Sequence, residues 1–398
     1  PKAEDLVTLT PAELEGKRGI TTRIRHEVTR IDRQGRRLEV QDLESGKTFT
    51  ETYDRLVIAT GALAIKPPLP NIDAEGVFTL RSVEDGIRIR AALENGAKNA
   101  LIIGAGPIGL ELAEQLTLRG CGVNLVEFLP RLLPVLPQSY ADEVREALLA
   151  RGVQLRLNAR VREILVSTSG KASGAVLEDG TELTSDFVIV AAGVAPNTSL
   201  AREAGLTLGL KGGIAVDAAM RTSDPVVWAC GDCTQMINRI TGKPAYAPLG
   251  TTANKQGRVA GAVIAGEEAR FPGVLLSQAC KVFDQYIAAT GLTQDMAAAE
   301  GIEAAQSSIE KDDKANYYPG AAPNKINLVF ARNGGRLLGA QAIGSISAAQ
   351  RMNVLAAAIT QGMSVSGLAD LDLVYTPSVA PVYDPLLIAS GAALKYVR

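Results

Sequence analysis

The chain has 398 residues, a formal net charge of −2, 46% hydrophobic residues and 39 glycines, with aromatics at only 4%. That length allows two to four domains with ample core, and the balanced charge without a long Lys/Arg run argues against a nucleic-acid or membrane-surface partner. Four cysteines make no disulfide framework in so long a chain, no apolar run reaches spanning length and no signal peptide is visible, so a reducing, cytoplasmic setting is expected. The sequence opens on Pro1-Lys2-Ala3-Glu4 without an initiator Met and reads as if cut from something longer.

In chain order, residues 21–61 predict short alternating strands: 23–28, then 37–41 and 48–52 around the turn Glu44-Ser-Gly-Lys47, then 56–58 running into Ala59-Thr60-Gly61. Residues 77–194 read as a complete βαβ unit with an inserted antiparallel piece. The run ALIIGAGPIGLELAEQLTLRGCGVNLVE, residues 100–127, is its most informative part. An apolar strand enters Gly104-x-Gly106-Pro107-Ile108-Gly109, followed by a helix and a second strand closing on Glu127. Gly104 suits the tight turn, Gly106 lets backbone approach a pyrophosphate, and Gly109 lets the helix pack close to the sheet with its amides aimed at the phosphates. Glu127, 23 residues after Gly104, is placed to accept hydrogen bonds from an adenosine ribose. Strand, glycines, helix and acid in that order predict a dinucleotide site. A second helix is expected from a Ser139 cap to Arg151-Gly152, and Asp179-Gly180 predicts a two-residue hairpin turn.

Thr222-Ser-Asp-Pro-Val-Val-Trp-Ala-Cys-Gly231-Asp232 is the second informative segment. A carboxylate at a strand end beside a glycine suits a sugar-alcohol hydroxyl. The segment 253–258, with Ala253 and Asn254 first, is predicted to open a helix whose N-terminus stabilises negative charge on a ring carbonyl. The strand ends at Gly61 and Gly193 resemble one another and predict two crossings between domains. From about Phe271 onward, alternating segments at 325–330 and 337–343 precede an apolar helix at 348–361, as in an α+β module.

The ordered set Ala-Thr-Gly (59–61), the glycine turn, Ala-Ala-Gly-Val-Ala-Pro-Asn (191–197) and Ala-Cys-Gly-Asp (229–232) resembles the flavoprotein pyridine nucleotide-disulfide oxidoreductases over essentially the whole chain. Within them it is most similar to the coenzyme A-disulfide reductase and NADH oxidase/peroxidase branch, supported by Ala-Thr-Gly-Leu-Thr (289–293), Asn-Tyr-Tyr-Pro-Gly (316–320) and Asp-Leu-Asp-Leu-Val-Tyr-Thr-Pro (370–377). The resemblance implies an α/β fold with two dinucleotide-binding, Rossmann-like domains, the first incomplete, and a C-terminal α+β dimerisation domain. Residues 1–76 and 195–270 would be the remainder of an FAD-binding domain, 77–194 an NAD(H)-binding domain, and 271–398 the dimerisation domain of a homodimer.

Position by position, the resemblance puts Asp232 on the ribityl chain of FAD and Ala253 and Asn254 at the pyrimidine edge of the flavin. Thr60, Gly61, Gly193 and Gly231 line the same cofactors. Gly104, Gly106, Pro107, Ile108, Gly109 and Glu127 would hold NADH; Glu127 disfavours a 2′-phosphate, and Arg131 nearby leaves NADPH open. Tyr375 and one of Tyr317 and Tyr318 match tyrosines that reach the partner subunit's thiol site in this branch. The implied activity passes hydride from NAD(P)H through flavin to a disulfide such as coenzyme A disulfide. Oxygen or peroxide as acceptor is the alternative, and a non-catalytic NAD(H)-binding, dimerising fragment is the reading from another class. The chain departs from the pattern at its start, having neither a second GxGxxG nor the Ser-Phe-x-Asn-Cys-Gly segment with the redox cysteine.

The remaining reactive residues read as structural. Cys230 and Cys233 have C-x-x-C spacing but flank the Gly-Asp turn instead of opening a helix. Cys121 and Cys280 read as packing residues, and His26, the single histidine, as a surface residue of an alternating strand. No Cys/His or Asp-rich pattern predicts a metal site.

Overall fold

A computed structural model describes residues 3–398; Pro1 and Lys2, on which the reading of the chain's opening partly rests, lie outside the described residues. The central layer is a five-stranded, wholly parallel sheet ordered Val77–Phe78, Phe187–Val190, Asn99–Ile103, Gly122–Val126, Gln154–Arg156. Its middle strands are short apolar runs because helices and neighbouring strands cover both faces: all four residues of Phe187–Val190 are buried. The helices Pro107–Thr117 and Gln138–Ala150 supply much of one covering, through Leu110, Ala113, Leu116, Tyr140, Val144 and Leu148. An antiparallel sheet of Val161–Val166, Ala172–Leu177 and Glu182–Thr184 is inserted before the last parallel strand. Its second turn holds Asp179-Gly180 but is a three-residue loop, Glu178-Asp179-Gly180, with Leu177 facing Thr181 and Gly180 left-handed, one residue longer than the two-residue turn expected.

The Asp232 side of the molecule is built differently. Leu56–Ile58 and Val227–Ala229 form a two-stranded parallel pair, and a three-stranded meander (His26–Asp32, Arg37–Asp42, Thr48–Thr52) packs beside it through Ile31, which shares a core with Ile58, Ile214 and Val227. Where the chain crosses between the two regions, Ala62–Ala64 pairs antiparallel with Val194–Pro196. The C-terminal region is a five-stranded antiparallel sheet ordered Gln278–Val282, Gln285–Gly291, Leu337–Gly344, Pro323–Ala331, Ala304–Asp312, covered by the helix Ile346–Thr360.

Some predicted boundaries move. The strand expected at 23–28 begins at His26 and runs to Asp32, because Arg25 adopts a left-handed conformation (φ 54°) that interrupts extended backbone. The helix expected from Ser139 starts at Gln138 directly after Pro137, and the apolar helix starts at Ile346 behind a Ser345 cap. Among the described residues, no helix is long and apolar enough to cross a membrane.

Candidate functional site

The glycine turn joins the Asn99–Ile103 strand to the Pro107–Thr117 helix. Gly104 has φ +104°, and a Cβ there would sit 2.5 Å from the Ala191 carbonyl oxygen; a Cβ on Gly109 would sit 2.0 Å from the Gly104 oxygen. Both glycines are therefore dictated by backbone packing. Gly106 is different: a Cβ on it would meet nothing within 4 Å, so its bare face opens into the cleft. Pro107 occupies the first helical position, where no amide is needed, and Ile108 stands half-exposed on the first turn. Backbone donors, open space and a helix N-terminus together fit a pyrophosphate.

Glu127 lies on the rim of this cleft and is 6% exposed. Its Oε2 accepts from the Ala105 amide at 2.7 Å and its Oε1 from the Leu129 amide at 2.9 Å. The carboxylate thus fastens the glycine turn as well as facing the cleft, and each oxygen keeps a lone pair for a hydroxyl. Arg131 also lines the cleft; its guanidinium donates to the Leu136 carbonyl and its Nε is buried without a partner.

The far wall of the cleft comes from the C-terminal sheet: Gln278, Ala279, Cys280, Ile287, Ala288 and Ala289. Sequence reasoning placed none of these at a site; Cys280 packs against the core as expected and lines the cleft as well. Burial, then nearby Glu111, pushes its thiol up to about 12, so it stays protonated. The wall is fastened to the Pro107–Thr117 helix by Glu114, buried at 3% exposure, which accepts from Lys281 Nζ at 2.5 Å and from the Phe283 amide at 2.9 Å. The available signal was Glu114 itself, an acid on the apolar face of a helix.

At the Asp232 turn, Cys230 N donates to Ile58 O (3.0 Å) and Gly231 N to Gln256 Oε1 (2.7 Å). Asp232 Oδ2 accepts from Arg81 Nη2 at 2.9 Å, its backbone carbonyl accepts from the Tyr246 hydroxyl at 2.9 Å, and Oδ1 is buried with no partner. An orphaned carboxylate oxygen asks for a donor, and a hydroxylated chain such as a ribityl group fits it. Burial, then Asp232, pushes the Tyr246 hydroxyl up to about 12, keeping it a donor.

The nearby helix begins at Gly250, not at Ala253. The Ala253 amide already bonds to Leu249 O at 3.0 Å and Asn254 Nδ2 caps back onto Gly250 O, so Gly250 and Thr251 present the free amides. Sequence reading missed this start because Leu249 offers no capping side chain. Thr60 Oγ1 donates to Asn197 O at 2.5 Å and Asn197 N to Gly61 O at 2.9 Å, tying the two chain crossings together; Gly193 O accepts from Ile65 N nearby.

Cys233 Sγ donates to Cys230 O at 3.2 Å. Burial, then the neighbouring Cys233, pushes Cys230 up to about 11, and burial also raises Cys233. Cys121 is raised by burial as well. His26 packs edge-on to Phe49 with its Nδ1 on Ile24 O, at the surface as the alternating pattern implies. Tyr317, Tyr318 and Tyr375 are 75%, 40% and 50% exposed on adjoining loops held by Ala315 N to Pro377 O, and none lines the cleft. No group of acids, cysteines and histidine among the described residues is arranged to hold a metal.

The family described as pyridine nucleotide-disulphide oxidoreductase matches residues 3–269, and its dimerisation domain matches residues 277–385. An NADH oxidase of Methanocaldococcus jannaschii is 37% identical over 394 residues, 98% of this chain and 87% of the relative. Among solved structures, an NAD-dependent persulfide reductase from A. fulgidus superposes with a TM-score of 0.93 at 39% identity, covering 97% of this chain and 71% of that one. Reduced CoADR-RHD from Bacillus anthracis gives a TM-score of 0.95 at 32% identity, covering 99% and 71%. The chain belongs to the pyridine nucleotide-disulphide oxidoreductases, enzymes that use FAD with NADH or NADPH, and it carries their dimerisation domain.

Proposed function

For a chain of this family, we propose an NAD(P)H oxidoreductase that takes a disulfide or persulfide such as coenzyme A disulfide as its acceptor. One observation carries the reading: a bare glycine turn open to a cleft and an orphaned carboxylate oxygen on a second strand end, joined by paired chain crossings. When bound, the nicotinamide and flavin supply hydride-transfer chemistry. The chain's part is to hold and orient them. Gly104, Gly106, Pro107, Ile108 and Gly109 receive the pyrophosphate of NADH, and Glu127 faces its ribose while fixing the turn. Asp232 and Gly231 take the ribityl side of FAD. The helix start, now Gly250 and Thr251 with Ala253 and Asn254 behind them, faces the ring. Thr60, Gly61 and Gly193 hold the crossings in register.

Residues 77–194 act as the NAD(H)-binding domain, 1–76 with 195–270 as the flavin side, and 271–398 as the dimer-forming domain. The exposed run Val374, Tyr375, Val379, Val382 and Tyr383 supports a homodimer in which Tyr375 and Tyr317 or Tyr318 reach the site where the partner takes its thiol or disulfide substrate. Free cysteines support a reducing, cytoplasmic setting. A second reading, with oxygen as acceptor, is favoured by the raised thiols of Cys121, Cys230, Cys233 and Cys280, none of which is poised as a thiolate.

The test is the visible spectrum of the chain after incubation with FAD and desalting. A retained flavin band that bleaches anaerobically on NADH and recovers with coenzyme A disulfide supports the main reading. Recovery only on admitting air supports the second, and no retained band with NADH still binding leaves an NAD(H)-binding chain without flavin chemistry.

A further inference from the structure

Two loops of the C-terminal region carry the exposed tyrosines of the proposed acceptor contact. Tyr317 and Tyr318 lie between the strands Ala304–Asp312 and Pro323–Ala331, and Tyr375 lies in the segment 370–384 that leads into a helix, Pro385–Ala393. Each loop is closed at its base by an aspartate. Asp313 Oδ1 accepts from the Ala322 amide at 3.0 Å and the Asp313 amide donates to Ala322 O at 2.9 Å, pinching the first loop shut. Asp384 Oδ1 accepts from the Leu386 amide at 2.9 Å and caps the helix at the end of the second. A backbone bond from Ala315 N to Pro377 O joins the loops directly and, at 3.3 Å, is long.

Arg351, on the buried face of the helix Ile346–Thr360, reaches both bases at once. Its Nε donates to Asp384 Oδ1 and Oδ2 at 3.1 and 3.0 Å, and its Nη2 to Asp384 Oδ2 at 2.7 Å. The same Nη2 donates to the Asp313 carbonyl at 3.1 Å, and Nη1 to Ser347 Oγ at 2.8 Å. Arg351 and Asp384 are 9% and 8% exposed. A buried ion pair adds little net stability compared with apolar side chains of the same volume, and its distinct capacity is to fix a geometry. A planar fork of five donors serves two loop bases and its own helix in one arrangement; a lysine ammonium does not. We infer that Arg351 is a positioning residue for the acceptor. It holds the Tyr317/Tyr318 loop and the Tyr375 loop in one arrangement, so that both present their tyrosines together to the site where the partner takes its thiol or disulfide substrate. This rests on the acceptor reading above.

The experiment reads amide hydrogen exchange in the full chain, with coenzyme A disulfide and NADH binding measured by calorimetry in parallel. The double variant Arg351→Met/Asp384→Asn removes both buried charges at once, keeps an acceptor for the Leu386 amide and retains the fold. Bonded amides of both loops, Tyr318 and Ala322 in the first and Val379 and Ala380 in the second, exchange at least about ten times faster, while those of Ile326 and Leu328 are unchanged. Coenzyme A disulfide binds about tenfold more weakly, the scale of one hydrogen bond to a charged group, and NADH binds as before. Tyr375→Phe weakens coenzyme A disulfide in the wild type but costs the double variant nothing further, because Arg351 acts through the tyrosines. Arg351→Lys keeps the Asp384 pair without the Asp313 bond, so it loosens the first loop alone and reports on the proposal if the double variant does not fold.

Exchange that quickens in neither loop or in only one of them in the double variant, unchanged coenzyme A disulfide affinity once both are loosened, or a further loss on adding Tyr375→Phe overturns the role of Arg351 while leaving the acceptor reading intact. A wild-type chain that binds NADH but not coenzyme A disulfide overturns both.

Discussion

Two strand-end turns carry the proposed chemistry, and the layers beneath them are unlike. The glycine turn rises from a five-stranded parallel sheet whose strands Asn99–Ile103 and Phe187–Val190 are neighboured on both sides. The Asp232 turn rises from a two-stranded pair in which Val57 is 41% exposed. In the first region close backbone packing dictates Gly104 and Gly109, with the Glu127 carboxylate as the side chain that fastens the turn. In the second, side chains do that work: Arg81, Gln256 and Tyr246 bond to the turn, and Asn197 Nδ2 donates to Thr60 O in the crossing beside it. Where a sheet is short, polar side chains take over the alignment that pairing would otherwise supply.

The contrast breaks first at the glycines. Gly109→Ala forces a Cβ into the Gly104 carbonyl, so it costs about 1–3 kcal/mol of stability and removes NADH binding. Gly106→Ala, whose Cβ meets open space, weakens NADH at unchanged Tm. Calorimetry with NADH titration checks the pair, and equal Tm losses in both would contradict the assignment of backbone packing to one and ligand approach to the other.

Glu114→Ala comes next. It strips the buried Phe283 amide of its acceptor and Lys281 of its counter-charge, at a cost of about 1–3 kcal/mol in urea unfolding. NADH binding should weaken as well, since the wall of the cleft loosens; a variant with native stability would show that the hairpin is held without this acid.

Hydrogen exchange sharpens the comparison directly. Amides of Leu101, Ile102, Val188 and Ile189 should exchange at least about ten times more slowly than those of Ile58 and Ala229. Equal protection would mean that the side-chain network makes the short pair as stable as the long sheet.

The smallest effect is acidic. Burial alone would raise Asp224, but Arg33 at 2.7 Å and the Val226 amide outweigh it and hold the carboxyl below its ordinary 3.8. A carboxyl lowered on folding stabilises fully above its unfolded value and loses that contribution as pH falls through the folded one. Melting of the 26–52 meander against its neighbour should therefore begin below about pH 4 and be absent in Asp224→Asn, as read by circular dichroism against pH.

Much of this was legible in the sequence because it is local. The apolar strand, the glycines, the helix and Glu127 lie within 28 consecutive residues, and each obeys a short-range steric rule. Other parts were hidden because they join distant residues. Arg81 meets Asp232 across 151 positions and Glu114 meets Lys281 across 167, and neither pairing leaves a periodicity behind. The helix start at Gly250 escaped for a different reason, the lack of a capping side chain at Leu249. Glu127 shows a third kind of limit: the residue was identifiable, but its grip on the Ala105 and Leu129 amides was not.

The hairpin that closes the far side of the cleft also bears on how freely the molecule's parts can be exchanged. Val282, Phe283, Ile287 and Ile343 lie in the same apolar core as Leu110, Leu125 and Tyr140. The nucleotide-binding region is therefore not a portable module. Excised at residue 194 it would present bare hydrocarbon to water, and a chimera that swaps the C-terminal portion for a relative's must carry complementary shapes at this seam, or inherit a cleft with a misfitting wall.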